Sequence, residues 1–190
     1  TKLAYGRGVW AVLGGVDGVT THLAEQMVVK ARLPQVAFGN TDASVHLTNV
    51  PWTFSLPATD DVTAPLLARV IVERSGSTGR WAALTATDHD SHTTWSEVER
   101  ALAALGARSP ALHVESAPGD PRLATIAADL RRSGAALILI VAPARPAGRL
   151  VDELRKGGFA GVLVGGAPFG RRPFVEPARA SAEGALFPLL

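Results

Sequence analysis

Short apolar runs alternate with longer segments of helical periodicity along almost the whole chain. The apolar runs have strand length and predict strands over residues 9–13, 35–38, 52–56, 81–86, 111–114, 135–141 and 162–164, with a last short strand in 182–190. Apolar residues three and four positions apart predict helices over 20–31, 62–75, 94–105, 121–132 and 149–156. This alternation is typical of a parallel, doubly wound α/β fold, the fold class that we predict.

Polar residues follow the strands at the points where helix starts are expected. Asp17 comes before the first helix, where an aspartate commonly caps the helix, although it could instead face a ligand. Thr94–Glu97 fits a capping box, and Asp120 precedes a proline at the first predicted helical position. The polar loop 39–44 follows the second strand. In open α/β sheets ligands bind outside the carboxyl ends of the strands, so these loops are candidate binding positions.

The segments 11–21 and 83–94 share one layout. Each has a strand, an Asp-containing loop, a Thr-Thr pair and then a helix. The repeat predicts two lobes, each presenting a helix N-terminus beyond its sheet.

The amino-acid composition argues against several classes of function. The net charge is +2, and the longest basic runs are the pairs Arg131-Arg132 and Arg171-Arg172, so a nucleic-acid-binding surface is not expected. The chain has no cysteine, which excludes disulfides and thiolate chemistry. No apolar run approaches the length of a membrane span, and the first residues lack the layout of a signal peptide.

No motif predicts catalysis or a cofactor. The glycines of 14–18 lack the G-x-G-x-x-G spacing of a dinucleotide loop, and no G-x-S-x-G nucleophile elbow occurs. His89 and His92, with the aspartates beside them, could hold a metal ion, but residues bunched in one loop rarely give tetrahedral geometry. We therefore favour a solvated, helix-capping loop there, and we predict no catalytic residue, no cofactor and no metal site.

The order of the motifs resembles that of type I periplasmic binding proteins, in particular the branched-chain amino-acid and amide-binding receptors of ABC transporters. The segments that carry the resemblance are 13–21, 34–42, 52–61, 88–90, 106–107, 119–121 and 182–184. The resemblance implies a chain that is incomplete at both ends. Residues 1–57 would be part of lobe one, 58–184 part of lobe two, and 185–190 would return to lobe one.

The resemblance also implies which positions hold the ligand. In lobe one these are Asp17, Gly18, Thr20, Thr21, Asn40 and Thr41; in lobe two they are Ser91, His92, Ala144, Arg145 and Ala167. Receptors for amino acids usually have a small hydroxyl residue where Asp17 stands, aromatic residues near Ser91 and Ala144, and a carboxylate near Ala167. Because Asp17 leaves little room for an anion whether it caps the helix or faces the ligand, we predict a neutral or cationic ligand.

The implied function is that of an extracytoplasmic or periplasmic solute-binding protein. It would bind a small polar ligand, amino-acid-like or amide-like, in a cleft between the lobes by hinge closure, for ABC transport or sensing. The partners implied are this small molecule and an ABC transporter permease. Two alternatives stay open: an α/β enzyme using the same sheet edge, and a degenerate lobe that serves protein association.

Overall fold

The computed structural model describes residues 2–42, 51–75 and 79–189, which form two compact units. The first unit contains the described residues up to Val62, and the second runs from Thr63 to Leu189. Part of the predicted loop 39–44 lies outside the described residues, as do positions 76–78. The predicted lobe boundaries at residues 57 and 184, and the return of 185–190 to lobe one, remain predictions. In the structure, Leu186 forms a parallel bridge with Val164 of the second unit.

The first unit has a small parallel sheet. Its elements are α1 (Lys2–Gly6), β1 (Val12–Leu13), α2 (Gly18–Ala31), β2 (Gln35–Ala37) and β3 (Thr53–Ser55). The strand order is β1-β2-β3, and Leu13, Val36 and Phe54 are register partners. Leu13 is 75% exposed and Phe54 is 53% exposed, so this face of the sheet is largely open and apolar. Gln35 and Thr53, which are also register partners, are buried.

The second unit has a larger parallel sheet with helices on both faces. The helix α3 (Asp60–Arg74) leads into it. The remaining elements are β4 (Trp81–Ala86), α4 (His89–Ala104), β5 (Leu112–Ser116), α5 (Leu123–Arg132), β6 (Leu137–Val141), α6 (Ala144–Lys156), β7 (Val162–Gly165) and α7 (Arg172–Ala178). Two short 3-10 helices, Ala167–Gly170 and Arg179–Ala182, flank α7. The strand order is β5-β4-β6-β7, with every pairing parallel.

Strands β4 and β6 are buried on both faces and separate two apolar clusters. Leu84, Ile138 and Ile140 pack with α5, α6 and α7 on one face. Trp81 and Leu139 pack with α3 and α4 on the other. A strand buried on both faces is apolar throughout, as parallel sheets require, which is why β6 is the most apolar run in the sequence.

The α/β fold with parallel sheets confirms the predicted fold class, but several predicted boundaries are wrong. Helix α4 begins at His89, five residues before Thr94, because Asp88 caps it. Helix α5 begins at Leu123, and Asp120 does not cap it.

Helix α6 also starts earlier than predicted. It begins at Ala144 and not at Arg149, so Ala144 and Arg145, predicted as part of a loop, form its first turn. Pro146 is tolerated there because the first helical turn does not need its missing N–H. Helix α7 and the two 3-10 helices beside it were not predicted. In the described ranges, no helix combines the length and apolar composition that a bilayer crossing needs.

Candidate functional site

In the first unit, Asp17 caps α2 and forms hydrogen bonds with two of the predicted ligand-binding residues, Thr20 and Thr21. Its Oδ1 accepts hydrogen bonds from the Thr20 backbone N–H at 2.7 Å and from the Thr20 hydroxyl at 2.6 Å. The Thr21 hydroxyl donates to the Asp17 carbonyl oxygen at 2.7 Å. Gly18 is the first residue of the helix and is buried. The capping interpretation of Asp17 is therefore confirmed, and its carboxylate lies at the positive end of the helix.

Two glycines let the strand ends of this unit approach each other closely. Gly15 has a φ of 103°, and a Cβ there would overlap the Thr21 hydroxyl. A Cβ on Gly39 would lie 2.7 Å from the Val16 carbonyl oxygen. The Gly39 N–H donates to the Gly15 carbonyl at 3.0 Å and joins the turn after β1 to the turn after β2. Gly15 and Gly39 thus allow the two turns to approach each other closely.

Asn40 organises the loop after β2. It is fully buried, its Oδ1 accepts from the Asp42 N–H at 3.0 Å, and its Nδ2 donates to the Asp42 carbonyl at 3.3 Å. The Ser55 hydroxyl donates to the Asn40 carbonyl at 2.8 Å. Thr41 is half-buried, and its carbonyl accepts from the Asp60 N–H. The described contacts of Asn40 and Thr41 hold the loop in shape at the same sheet edge as Asp17.

A pair of buried carboxylates lies close to this loop and was not identified as a candidate from the sequence. The His22 Nε2 is 3.3 Å from the Asp42 Oδ2, and its Nδ1 is 3.4 Å from the Glu25 Oε2. Asp42 is 3% exposed and Glu25 is 5% exposed. His22 and Glu25 lie three positions apart on α2, a spacing that places them on neighbouring helix positions and could have indicated the contact. Through His22, these contacts join the loop after β2 to helix α2.

In the second unit, Asp88 repeats the arrangement seen at Asp17. It caps α4, its Oδ1 accepts from the Ser91 N–H at 3.1 Å, and its Oδ2 accepts from the Ser91 hydroxyl at 2.7 Å. In both units an aspartate is therefore bonded to the amide and the hydroxyl of the residue three positions later. Ser91 is buried, whereas His92 is exposed in the first turn of the helix. The sequence repeat thus corresponds to two equivalent helix caps.

The remaining predicted residues follow β6 and β7 at the same edge of the second sheet. Ala144 is half-buried at the start of α6, and Ala167 is half-buried at the start of the 3-10 helix after β7. The Arg145 guanidinium donates to the Glu176 carboxylate at 2.8 Å, and Arg172 contacts the same carboxylate at 3.0 Å. Two arginines share one acid, so positive charge is in excess around the N-terminus of α6.

The architecture of both units is that of an α/β ligand-binding protein. Each unit is a parallel α/β sheet with an aspartate-capped helix at the carboxyl edge of its strands, as expected for proteins that bind ligands at that edge. The periplasmic binding protein family model matches residues 1–189. The chain therefore belongs to the periplasmic binding protein family, and the resemblance found in the sequence is confirmed.

Solved structures agree on the fold. A leucine-binding protein from Thermotoga maritima has a TM-score of 0.82 and 17% identity, with 98% of this chain and 52% of that one covered. A branched-chain amino-acid transporter substrate-binding protein from Streptococcus pneumoniae, in complex with isoleucine, has a TM-score of 0.83, 17% identity and the same coverage. An ABC-transporter solute-binding protein from Rhodopseudomonas palustris, in complex with 3,4-dihydroxybenzoic acid, has a TM-score of 0.75 and 12% identity, with 88% and 46% covered. This chain thus spans about half the length of the structures it matches. No curated protein matches the sequence.

Proposed function

We propose that this chain is part of an extracytoplasmic solute-binding protein that binds a small polar ligand for an ABC transporter or a sensor. The observation that carries the proposal is the family match over residues 1–189. It is supported by solved structures of similar fold, namely a leucine-binding protein and two binding proteins in complex with isoleucine or 3,4-dihydroxybenzoic acid. A periplasmic location and an ABC transporter permease as partner belong to the same proposal and rest on the family alone.

Both units contribute to the proposed binding of the ligand. The residues proposed to contact it are Asp17, Gly18, Thr20, Thr21, Asn40 and Thr41 from the first unit, and Ser91, His92, Ala144, Arg145 and Ala167 from the second. In each unit they follow the carboxyl ends of adjacent parallel strands, where ligands of open α/β sheets bind. The role of these residues in ligand binding is a prediction.

We further propose that the group bound by the first unit is neutral or cationic, as in an amide or an amine. The carboxylate of Asp17 lies at the N-terminus of α2, where an anionic ligand would otherwise be attracted. It also accepts the N–H and the hydroxyl of Thr20, so those two protons are directed at Asp17.

Thermal shift measurements against amino acids, amides, polyols and aromatic acids, followed by calorimetry, test the proposal. We expect stabilisation by one class of neutral or cationic solute, because a ligand that binds only the folded state raises its stability. Tight calorimetric binding of simple carboxylates that lack a ring or a branched alkyl body would contradict the charge preference. Turnover of a compound would favour the enzyme, and no response to any class would favour the association module.

The Asp17→Asn variant tests whether this carboxylate faces the ligand. Asparagine caps helices about as well as aspartate, so the variant should keep the fold while removing the charge. We expect the affinity for a cationic ligand to fall about tenfold, as for loss of a charge-assisted contact. Asp129→Asn is the matched control, because it removes a half-buried carboxylate from α5 that pairs with Arg132. Equal affinities in the two variants would show that Asp17 is only a helix cap.

A further inference from the structure

A pocket of about 190 Å³ lies within the second unit at the carboxyl edge of its sheet. From β4 the chain runs through α4 to β5 on one side of the sheet, and from β6 it runs through α6 to β7 on the other. The pocket lies on the α6 face of the sheet, between α5 and α6 and beside the ends of β4 and β6, and it is lined by residues of the second unit alone.

The walls of the pocket are apolar. They are formed by Leu84 and Ala86 of β4, Leu123 of α5, and Ala142 and Leu150 beside and within α6. An engineered apolar cavity of about 150 Å³ in another protein holds one benzene molecule. A pocket of 190 Å³ thus has room for one aromatic ring, or a branched alkyl group of similar size, together with a small polar group.

The rim of the pocket carries an excess of positive charge. Arg149 lines it, and in the described parts of the chain no acidic side chain pairs with this arginine. Arg145 also lines it and shares Glu176 with Arg172.

The acid on the rim, Asp120, is already neutralised. Its Oδ2 accepts from the Arg122 Nη2 at 2.7 Å and from the Ser116 hydroxyl at 3.2 Å. The hydrogen bonds from Arg122 hold the pKa of the Asp120 carboxyl well below its usual range, so it stays ionised and paired at neutral pH. It therefore does not cancel the charge of Arg149.

We propose that this pocket is a binding site for a small monocarboxylate with a single ring or branched alkyl body, whose carboxylate is held by Arg149. An arginine beside an apolar cavity matches such a molecule, since the guanidinium forms paired hydrogen bonds with a carboxylate while the walls take up the body. Arg145 is also among the residues proposed to contact the transported solute, whereas Arg149, Leu123 and residues 116–119 are not. The proposal rests on the pocket and not on the proposed function.

A pair of probes of equal shape tests the site. Benzoate and benzamide are titrated into the 190-residue chain at constant ionic strength, and binding is followed by the amide resonances in ¹H–¹⁵N NMR spectra. We expect benzoate to produce saturable shifts in 84–86, 116–123 and 142–150, and benzamide to bind about tenfold more weakly because it lacks the charge. Equal affinities, or shifts that map elsewhere, would overturn the proposal.

Substitutions in the pocket test which residues contact the two probes. Arg149→Gln should weaken benzoate binding about tenfold and leave benzamide unchanged. Ala117→Trp places a large side chain at an exposed position that lines the pocket and should abolish binding of both probes. Arg69→Gln is the matched control, because it removes an exposed arginine of α3 that does not line the pocket. An unchanged benzoate affinity in Arg149→Gln would rule out this arginine as the carboxylate ligand. Asp17→Asn should leave benzoate binding unaffected, which separates this site from the proposed solute site.

Discussion

Asp152, on α6, shares its carboxylate between two partners from different elements. The Lys156 ammonium lies 2.6 Å from its Oδ2, and the Ser181 hydroxyl donates to its Oδ1 at 3.0 Å. The hydrogen bond from Lys156 is the main cause that lowers the pKa of Asp152 below its usual 3.8, and the bond from Ser181 lowers it further. The same contact raises the pKa of Lys156 above 10.5.

We predict that Lys156→Met raises the pKa of Asp152 towards 3.8 and that Ser181→Ala raises it by less. Because the pKa of Asp152 is lowered in the folded state, its stabilising effect is complete above pH 3.8 and is lost as the pH falls through the folded value. The effect of Lys156 is complete below pH 10.5 and is lost as the pH rises through its raised value. Carboxyl ¹³C NMR titration measures the shift, and Lys30→Met on α2 is the control. No change in Lys156→Met would contradict the assignment.

At the scale of residues, the sequence was informative where one side chain decides the local structure. Asp17 was identified as a cap because an aspartate before a small residue at a helix start is a strong local signal. The cap at Asp88 was missed because Thr94 and Glu97 match a capping box formally, although Thr94 lies inside α4. The contact of His22 with Asp42 joins residues twenty positions apart, and no local pattern could reveal it.

Helices α6 and α7 cross closely at Gly148. A Cβ there would overlap the backbone carbonyl oxygen of Phe174 and would lie 2.8 Å from the Pro177 ring. The neighbouring rings of Phe169 and Phe174 stack with their centroids 4.1 Å apart, which fixes the position of α7 against the core. Gly148 therefore serves the packing between two helices.

We predict that Gly148→Ala destabilises the protein by about 2 kcal/mol, within the range typical of overpacking in a well-packed core. The sign of the change in the free energy of unfolding is informative, because in an isolated helix alanine is more stable than glycine by about 1 kcal/mol. Chemical denaturation gives the free energy of unfolding. In the control Gly166→Ala, the new methyl group meets only the Pro168 Cδ at 3.5 Å, an ordinary contact. A stabilised Gly148→Ala variant would show that the two helices separate easily.

Strands that consist of a continuous apolar run were predicted well. The strand β4 was predicted over the residues that it occupies, since a strand buried on both faces reads as a continuous apolar segment. The start of α6 was missed because Pro146 and Gly148 are both poor helix formers, and only the close contact with α7 explains the glycine. Helix α7 contains two prolines in seven residues and carries no helical signal that the sequence could offer.

For the whole molecule, the order of the sequence motifs is enough to indicate the family. The sequence motifs do not predict how unequally the buried apolar residues are distributed between the two units. Both clusters of buried apolar residues consist of residues from 64 onwards. Among the described residues of the first unit, Val28 and Ala37 are the buried apolar side chains. Burial of apolar surface is the main stabilising contribution to folding, so the two units differ strongly in what stabilises them.

We therefore predict that a fragment of residues 58–189 folds independently, whereas residues 1–62 alone do not. The fragment keeps α3 whole, all four strands of the larger sheet and both apolar clusters. Thermal unfolding followed by circular dichroism should show one cooperative transition for 58–189 and none for 1–62.

Leu139→Ala provides an internal control in the same experiment, because Leu139 is fully buried in the centre of β6. The substitution should destabilise the fragment and the full chain by similar amounts, in the range of about 2–5 kcal/mol that such cavities cost. Equal losses would show that the fragment contains the same core as the full chain. A fragment that shows no transition, or in which Leu139→Ala has no effect, would mean that the second unit depends on residues 1–57 for its fold.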